Sequence, residues 1–356
     1  FMRKLVFLIN SLHNTGGTER MTTLLANYWA NKEGMSVCIV SIHKGENPFF
    51  ELSNEVKIYY INKSRKSNIY IGYLPNLFKV RKIARNIQPD YWIDVCSAMS
   101  LISIPALIGM NIRILSWEHF NANVEWNPIT SNLARRLAAR YAEKIVVLTQ
   151  DDKSIFKMRY HADNVVCIPN PITIRVDKPS PLDVRCVLAI GRFTYQKGFD
   201  MLIDAWALTK CRKEGWQLRI VGGGELESSL RKQALCLNLD SIVFEPFCQD
   251  VISLYRNASM YVMSSRFEGL PLVLIEALAM GLPIVSFDCE TGPKDIVDNG
   301  VNGVLVPTGD VEMLAKEIDE LSGNVARQHL YAKHALTKSE EFKVEKIIHL
   351  WEKLIK

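Results

Sequence analysis

The sequence lacks the residue patterns of metal-binding, secreted and membrane-spanning proteins. Its 8 cysteines are scattered, form no Cys-x-x-Cys pair and have no histidines beside them at the spacing of a zinc site. A reduced, cytoplasmic chain is therefore predicted. No apolar run approaches the ~20 residues that a helix needs to cross a bilayer. The apolar run near the start is too short for the core of a signal peptide.

Several catalytic motifs are absent as well. The chain has no phosphate loop ending in Gly-Lys-Ser/Thr, no Gly-x-Ser-x-Gly nucleophile elbow and no Asp-x-Asp tripeptide. A triple glycine at 222–224 follows an apolar segment, as in a dinucleotide-binding turn, but Glu227 stands where the third glycine of that fingerprint belongs. These absences disfavour a dinucleotide oxidoreductase and give no support to a carboxylate-held catalytic metal.

Length and charge narrow the class of protein. A chain of 356 residues is too long for one ordinary core and predicts two domains. The hydrophobic share of 48% is that of a soluble globular protein. A net charge of +5 does not indicate a nucleic-acid partner, but it is compatible with an anionic substrate or an anionic membrane surface.

Apolar segments with strand and helix patterns alternate along the chain, which predicts α/β architecture with parallel, doubly wound sheets. Four prolines between positions 169 and 181 interrupt the alternation, which then starts again. The predicted organisation is a first domain at 1–169, a linker at 170–182, a second domain at 183–338 and a terminal amphipathic helix within 339–356.

Ligands of such sheets bind at the carboxyl ends of the strands, so two domains predict a site in a cleft between them. Five loops should reach those edges: Gly16-Gly17, Glu118-His119, Arg192 to Lys197, the triple glycine, and Arg266 to Leu270. Each has a simpler alternative. Glycines serve tight turns, a basic loop can merely be solvated, and a lone histidine is often structural. A glycine-bounded loop with Arg192 and Lys197 nevertheless suits a diphosphate.

The stretch from Met260 to Phe287 reads as strand, loop, helix and strand, with Pro271 at the start of the helix. Glu276 lies among apolar residues of that helix, where a carboxylate needs a partner. A structural pair and a ligand contact both remain open for it.

Two further helices, at 74–86 and 132–141, are rich in lysine and arginine, including Arg135, Arg136 and Arg140. Such a face can be simply solvated, or it can dock on an anionic membrane.

Residues 268–276 have glutamate at both ends with seven residues between them, inside the run Ser-Arg-Phe-Glu-Gly…Glu-Ala…Gly-Leu-Pro-Ile-Val. Together with Gly-Arg-Phe…Gln-Lys-Gly at 191–198, Gly16-Gly17 and Glu118-His119, this stretch resembles the retaining GT-B glycosyltransferases of family 4. The likeness spans nearly the whole chain and implies two Rossmann-like domains facing across a cleft. The first would bind the acceptor and the second the nucleotide-sugar. The terminal helix would pack back on the first domain.

The resemblance implies a role for each matching residue. Arg192 and Lys197 would hold the donor diphosphate, aided by backbone groups at Gly269 and Leu270, and Glu276 would bind the ribose. Glu268 would face the transferred sugar, and His119 would contact the sugar or the acceptor hydroxyl. The remaining contacts would come from Phe247 and Cys248 to the base, and from Gly16 and Gly17 near the phosphates.

The implied activity is hexosyl transfer without a metal or another cofactor. A Thr-Gly-Pro segment at 291–293 replaces the family's frequent Gly-Gly and glutamate. Segments of that kind occur in bacterial polysaccharide and lipopolysaccharide transferases, so we expect a UDP-hexose or UDP-N-acetylhexosamine donor. The acceptor would be a glycan or an undecaprenyl-diphosphate-linked oligosaccharide at the cytoplasmic face of the inner membrane. A nucleotide-sugar epimerase and a non-catalytic nucleotide-sugar-binding protein are the alternatives.

Overall fold

The computed structural model describes residues 2–45, 47–62, 72–124, 127–248 and 250–356. The chain divides into two compact units. Unit 1 consists of Phe1–Pro169 and Ile348–Lys356, and unit 2 of Asn170–Ile347. Residues 170–182, which the prolines marked as a linker, thus group with unit 2. Within unit 2, the amide of Ile172 donates to the carbonyl of Phe342, and that of Ser180 to the carbonyl of Met280, each over 2.8 Å.

Unit 1 contains a seven-stranded parallel sheet. Its strands are β1 (Arg3–Ile9), β2 (Met35–His43), β3 (Lys57–Asn62), β4 (Tyr91–Val95), β5 (Arg113–Trp117), β6 (Lys144–Val147) and β7 (Val165–Cys167). Its helices are α1 (Gly17–Ala30), α2 (Tyr73–Ile87), α3 (Ser100–Leu107), α4 (Pro128–Tyr141) and α5 (Gln150–Tyr160). The strand order is β3-β2-β1-β4-β5-β6-β7. Strand β4 is buried along its whole length, as a central strand covered on both faces must be.

Unit 2 contains a six-stranded parallel sheet in the order β10-β9-β8-β11-β12-β13. Its strands are β8 (Cys186–Ile190), β9 (Gln217–Val221), β10 (Ile242–Glu245), β11 (Met260–Met263), β12 (Ile284–Phe287) and β13 (Gly303–Val306). Its helices are α6 (Phe199–Leu208), α7 (Glu227–Cys236), α8 (Val251–Arg256), α9 (Leu272–Ala279), α10 (Pro293–Ile296), α11 (Val311–Ser322) and α12 (Val325–Ser339). A last helix, α13 (Val344–Leu354), crosses the boundary between the units along the chain.

The predicted fold class, two doubly wound parallel sheets, is confirmed. The sequence analysis did not predict α5, α10, β13, α11 or α12. It also misplaced helix starts, since the helix predicted at 132–141 begins at Pro128. Helix α1 begins at Gly17 with Gly16 as its N-cap. Helix α9 begins at Leu272, which makes Pro271 the N-cap and not the first helical residue.

Strand order determines which loops become neighbours. The direction of winding reverses between β1 and β4 in unit 1 and between β8 and β11 in unit 2. Loops diverge on either side of such a reversal and leave a crevice at the carboxyl ends of the strands. Strands β8 and β11 are hydrogen-bonded neighbours, with Val187 opposite Met260, although about seventy residues separate them. The loops after these two strands carry Arg192 and Glu268.

The end of the chain packs within unit 1. The Trp351 ring meets the Trp117 ring edge-on, with 5.0 Å between centroids, and the Trp29 ring at 6.0 Å. All three rings are at most 1% exposed. Among the described residues, no helix is both long and apolar enough to cross a membrane.

Candidate active site

In unit 2, the loop after β8 and the loop after β11 are joined by side chains and backbone. The Arg266 guanidinium forms two hydrogen bonds, of 2.9 and 2.6 Å, with the Asp200 carboxylate and lies over the Tyr195 ring at 4.1 Å. Although burial opposes the charged carboxylate, Arg266 holds the pKa of Asp200 below its ordinary value. The Arg266 amide also donates to the Gln196 carbonyl at 2.8 Å. Arg266 therefore fixes the two loops to each other.

These joined loops bring Lys197 and Glu268 into direct contact. The Lys197 ammonium lies 2.6 Å from a Glu268 carboxylate oxygen, and the two side chains are 16% and 7% exposed. The same carboxylate accepts from the Ser265 hydroxyl at 2.6 Å and from the Gln196 amide at 3.3 Å. Two residues that the resemblance assigned to different parts of the donor thus form one buried ion pair. Ser265 and Gln196 were not predicted as site residues.

Arg192 differs from Lys197 in its surroundings. Its side chain is exposed and forms no hydrogen bond or ion pair with another described residue. The backbone that carries it is fixed from the other side, because the amide of Phe193 donates to the Gly223 carbonyl at 2.9 Å. Arg192 is therefore a cation on a fixed backbone, available to an anionic ligand.

The triple glycine explains how that backbone is held. A Cβ added at Gly222 would lie 1.9 Å from the carbonyl oxygen of Gly191, and one added at Gly224 would lie 2.6 Å from that of Phe193. Both glycines also have φ above +150°, which side-chain-bearing residues rarely adopt. The glycines thus allow the Arg192 loop to pack directly on the turn after β9.

Glu276 is buried in α9 and already has partners. It is 3% exposed and accepts a hydrogen bond of 2.8 Å from the Tyr255 hydroxyl and another from the Thr173 hydroxyl. These neutral donors meet the need of a buried carboxylate for hydrogen bonds. Each carboxylate oxygen can accept a second bond. The structure thus reveals a Thr173–Glu276–Tyr255 network that sequence patterns did not indicate.

The Thr-Gly-Pro segment packs on the loop of Glu268. The Thr291 hydroxyl donates to the backbone carbonyl of Glu268 at 2.6 Å. A Cβ on Gly292 would lie 2.3 Å from the carbonyl oxygen of Gly269, and φ at Gly292 is +92°. This segment, which departs from the family pattern, therefore supports the backbone of Glu268, Gly269 and Leu270.

Phe247 and Cys248 follow β10, at the carboxyl edge of the same sheet as Arg192 but two strands away. The Phe247 ring is 60% exposed, and Cys248 is half-buried. Within the described ranges, no three His, Cys, Asp or Glu side chains are arranged to hold a metal ion.

In unit 1, the Gly16-Gly17 turn carries a carboxylate that was not predicted. Glu19 lies in the first turn of α1 and is 9% exposed. A Cβ on Gly16 would lie 2.6 Å from a Glu19 carboxylate oxygen, and the other oxygen accepts from the Asn14 amide at 3.0 Å. A carboxylate is favourable at a helix N-terminus. Gly16 therefore makes room for Glu19.

His119 follows β5 and is 9% exposed. Its ring packs on the Trp117 ring with 4.2 Å between centroids, and its Nε2 has no hydrogen-bond partner among the described residues. Burial lowers the pKa of His119 to about 3, so the imidazole is neutral at physiological pH. A neutral, unpartnered imidazole nitrogen can exchange a hydrogen bond with a bound hydroxyl group.

One residue of the basic helices lies on the opposite face from that expected. Arg135 is 3% exposed and forms an ion pair of 3.3 Å with Glu118, itself 3% exposed. The prediction that Arg135 shares the outer basic face with Arg136 and Arg140 is therefore wrong. The buried face of α4 is built from Ala134 and Ala138, whereas Leu133 is 50% exposed. The spacing of the alanines was the available signal.

Solved structures share this fold. The lipopolysaccharide outer core galactosyltransferase WaaB in its apo form has a TM-score of 0.79 at 19% identity and covers 98% of both chains. HepE of Anabaena, in complex with UDP and glucose, has a TM-score of 0.81 at 21% identity and covers 99% of both. These likenesses define the class of fold, that of the GT-B glycosyltransferases.

Sequence relatives identify the family. An uncharacterized glycosyltransferase of Haemophilus influenzae is 35% identical over 99% of this chain and 100% of its own. The amylovoran biosynthesis glycosyltransferase AmsD of Erwinia amylovora is 29% identical over 99% and 100%. The models for Glycosyltransferase Family 4 and Glycosyl transferases group 1 match residues 15–176 and 172–335. The chain belongs to glycosyltransferase family 4, as the sequence patterns predicted.

A third relative has a more detailed name. It is an alpha-1,4-N-acetyl-D-galactosaminyltransferase of Campylobacter jejuni, named for the acceptor GalNAc-alpha-(1->4)-GalNAc-alpha-(1->3)-diNAcBac-PP-undecaprenol. It is 27% identical over 99% of this chain and 98% of its own. Its match therefore includes both units of this chain.

Proposed function

We propose that the protein is a retaining glycosyltransferase that moves a hexose or N-acetylhexosamine from a UDP-sugar to a glycan or lipid-linked oligosaccharide in bacterial surface polysaccharide synthesis. The observation that carries the proposal concerns Arg192, which lies on the loop of the buried Lys197–Glu268 pair and has no side-chain partner among the described residues. The crystallised complex of HepE with UDP and glucose supports the donor class. The names of the Erwinia and Campylobacter relatives support the polysaccharide and polyprenyl-linked acceptors.

Each donor-side residue has a role in this proposal. Arg192 binds two oxygens of the diphosphate, and Lys197 adds a point charge. Backbone N–H groups of Gly269 and Leu270, in the loop just before α9, donate to the same anion. Glu276 accepts from the ribose hydroxyls beside Thr173 and Tyr255. Phe247 and Cys248 border the base.

The proposed reaction breaks the bond between the anomeric carbon and the diphosphate oxygen. The bonding electrons leave with UDP, and the sugar passes through an oxocarbenium-like state. The acceptor oxygen attacks from the same face, and its proton passes to the departing phosphate. Fixed cations stabilise the charge that grows on UDP, so the proposal requires no metal. Gly16 and Gly17 let the first loop approach the phosphates, and His119 accepts from or donates to a sugar or acceptor hydroxyl.

The direct test begins with donor binding. A panel of UDP-sugars is screened for a rise in melting temperature, since a ligand of the native state stabilises it. The best donor is then incubated with acceptor glycans, with and without EDTA, and UDP release is measured. We expect release only when an acceptor is present, at equal rates with the chelator. A donor that binds without ever releasing UDP would indicate a nucleotide-sugar-binding protein. Epimerised free UDP-sugar would indicate an epimerase.

Proton NMR of the fresh product tests the stereochemistry. We expect an α-linked product from an α-linked donor. A β-linkage from that donor would contradict the retaining mechanism while leaving the transferase assignment intact.

We further propose that unit 1 docks on an anionic membrane surface. Two of its helices carry the same exposed pattern of two apolar residues followed by two cations at helical spacing. In α2 these are Leu74, Phe78, Lys82 and Arg85, and in α4 they are Ile129, Leu133, Arg136 and Arg140. The four apolar side chains are between 50% and 81% exposed. Helix α3 packs against both helices. Exposed apolar residues beside cations suit the interface of an anionic bilayer.

Flotation with phosphatidylglycerol vesicles at low salt tests this surface. Each cation near an anionic membrane contributes roughly 1 kcal/mol, so reversing both charges of one helix, as in R136E/R140E, should lower vesicle binding at least about tenfold. The control K232E/K316E reverses two exposed cations of unit 2 and should bind like wild type. Failure of the wild-type protein to float at low salt would contradict the docking proposal.

A further inference from the structure

The loop from Glu118 to Val124, which carries His119, is held by side chains from outside it. From α5, the Asp152 carboxylate accepts from the Ala122 amide at 2.9 Å. From the turn after β4, the Ser97 hydroxyl donates to Glu118 at 2.5 Å. Within the loop, Glu118 also accepts from the amides of His119 and Phe120 at 3.2 and 3.3 Å. The backbone around His119 is thus fixed on several sides.

Arg135 of α4 makes the largest number of these contacts. Its guanidinium donates to the backbone carbonyls of Ala122 at 2.6 Å, Asn121 at 3.3 Å and Val124 at 3.5 Å, and to the Glu118 carboxylate at 3.3 Å. A planar guanidinium presents its donors in a rigid fork, whereas an ammonium is a compact point charge. Lysine at this position could not reach four acceptors with the same geometry.

The contacts of Arg135 do not extend to solvent or to the outer basic surface. Its side chain is 4% exposed, and its only carboxylate partner, within the described part of the chain, is Glu118. A buried ion pair is weak evidence for a gain in stability, because desolvation of both charges offsets their attraction. The fit of this pair to one loop instead suggests that it fixes the geometry of that loop.

We propose that Arg135 is a positioning residue for glycosyl transfer, which holds the Glu118–Val124 loop so that the His119 imidazole and the Phe120 ring meet the acceptor side of the reaction. The inference rests on the proposed function. Phe120 is 42% exposed on this loop, next to the buried His119. Arg135 acts through the loop and does not itself touch the reacting atoms.

The first test compares Arg135→Met with Arg113→Met. Arg113 begins β5, the strand that leads into the loop, but lies at the other end and is 55% exposed. For R135M we expect kcat/KM for the acceptor to fall about 30-fold, because a misplaced catalytic group costs one to two orders of magnitude. UDP binding, measured by calorimetry, should stay within about twofold of wild type, since the side chains proposed to bind UDP lie in unit 2. R113M should match wild type in both measurements.

A second variant separates positioning from folding. R135M leaves the Glu118 carboxylate buried without its cation, which can unfold unit 1. The double variant E118Q/R135M removes both charges and should melt near the wild-type temperature, yet should still transfer poorly because the loop carbonyls have lost their donors. Added guanidinium chloride, at tens of millimolar, should partly restore transfer to R135G and leave H119A unchanged. Wild-type transfer by the double variant would overturn the proposal.

Hydrogen exchange distinguishes failure of this inference from failure of the proposed function. If Arg135 holds the loop, backbone amides of residues 119–124 should exchange faster in E118Q/R135M, with exchange in β5 unchanged. Faster exchange in the loop of the variant, combined with no transfer by the wild-type protein from any UDP-sugar, would overturn the proposed function but not the positioning role. Unchanged exchange in the loop would overturn the positioning role, whatever the substrate.

Discussion

Replacing Arg192 with methionine is expected to lower kcat/KM about 1,000-fold, since removal of one fixed donor from a developing anion costs two to three orders of magnitude. The melting temperature without ligand should not change. The reason lies in the surroundings of Arg192, whose side chain is exposed and has no hydrogen-bond or ion-pair partner among the described residues. Steady-state kinetics and a thermal melt check the two halves of this prediction.

The controls for Arg192 test geometry as well as charge. Lysine at the same position keeps the charge but cannot bind two phosphate oxygens at once, so R192K should recover activity only to about tenfold below wild type. Arg231 on α7 is exposed and pairs with Glu227 four residues earlier. R231M should therefore transfer like wild type. A R192M variant with unchanged UDP affinity and unchanged kcat would show that the loop is a solvated basic loop and not a diphosphate site.

Glutamine at position 268 and glutamine at position 276 should affect different kinetic constants. For E268Q we expect kcat to fall about 100-fold, within the range for loss of one preorganised polar group. The carboxylate accepts from Lys197, Ser265 and Gln196, and an amide would present N–H donors to at least one of those donors. Lys197 would lose its fixed position beside the donor, so the loss should appear in the transfer step.

For E276Q we expect the KM for the donor to rise about tenfold with kcat within about threefold. A charge-assisted bond to a hydroxyl is roughly twice as strong as a neutral one, and its loss weakens binding more than chemistry. Because Glu276 also accepts from Tyr255 and Thr173, Y255F should raise the donor KM in the same direction by a smaller factor. Glu227→Gln, on the exposed face of α7, is the matched control. Equal losses from E268Q and E276Q that follow the melting temperature would show both glutamates to be structural only.

The positions of the main loops could be predicted from sequence because they depend on local patterns. Short apolar segments that alternate along the chain with segments of helical periodicity predict parallel strands joined by crossover helices. Such strands place the loops that follow them at one edge of the sheet. Arg192, Glu268 and His119 all follow strands in this way. The two glutamates with seven residues between them are likewise a local pattern. What these patterns left open was the partner of each side chain.

Several site residues could not be predicted because their contacts join distant parts of the chain. Thr173 meets Glu276 across about one hundred residues, and Thr291 supports the carbonyl of Glu268 from the other side of α9. From sequence, Arg135 is predicted to be a surface cation beside Arg136. In the structure, α4 packs through its alanines, and Arg135 is buried on that face. The spacing of Ala134 and Ala138 marks the covered face only weakly, because another face of the helix carries the larger apolar Leu133.

The sequence by itself determined the two doubly wound sheets, the family and the loops that carry the candidate site, because periodicity and short motifs act within a few residues. Only the tertiary structure decided that Lys197 pairs with Glu268, that Glu276 is held by two hydroxyl groups, and that Arg135 lies under the His119 loop. The physical reason is strand order. Which strands become neighbours, and hence which loops touch, depends on burial summed over a whole unit.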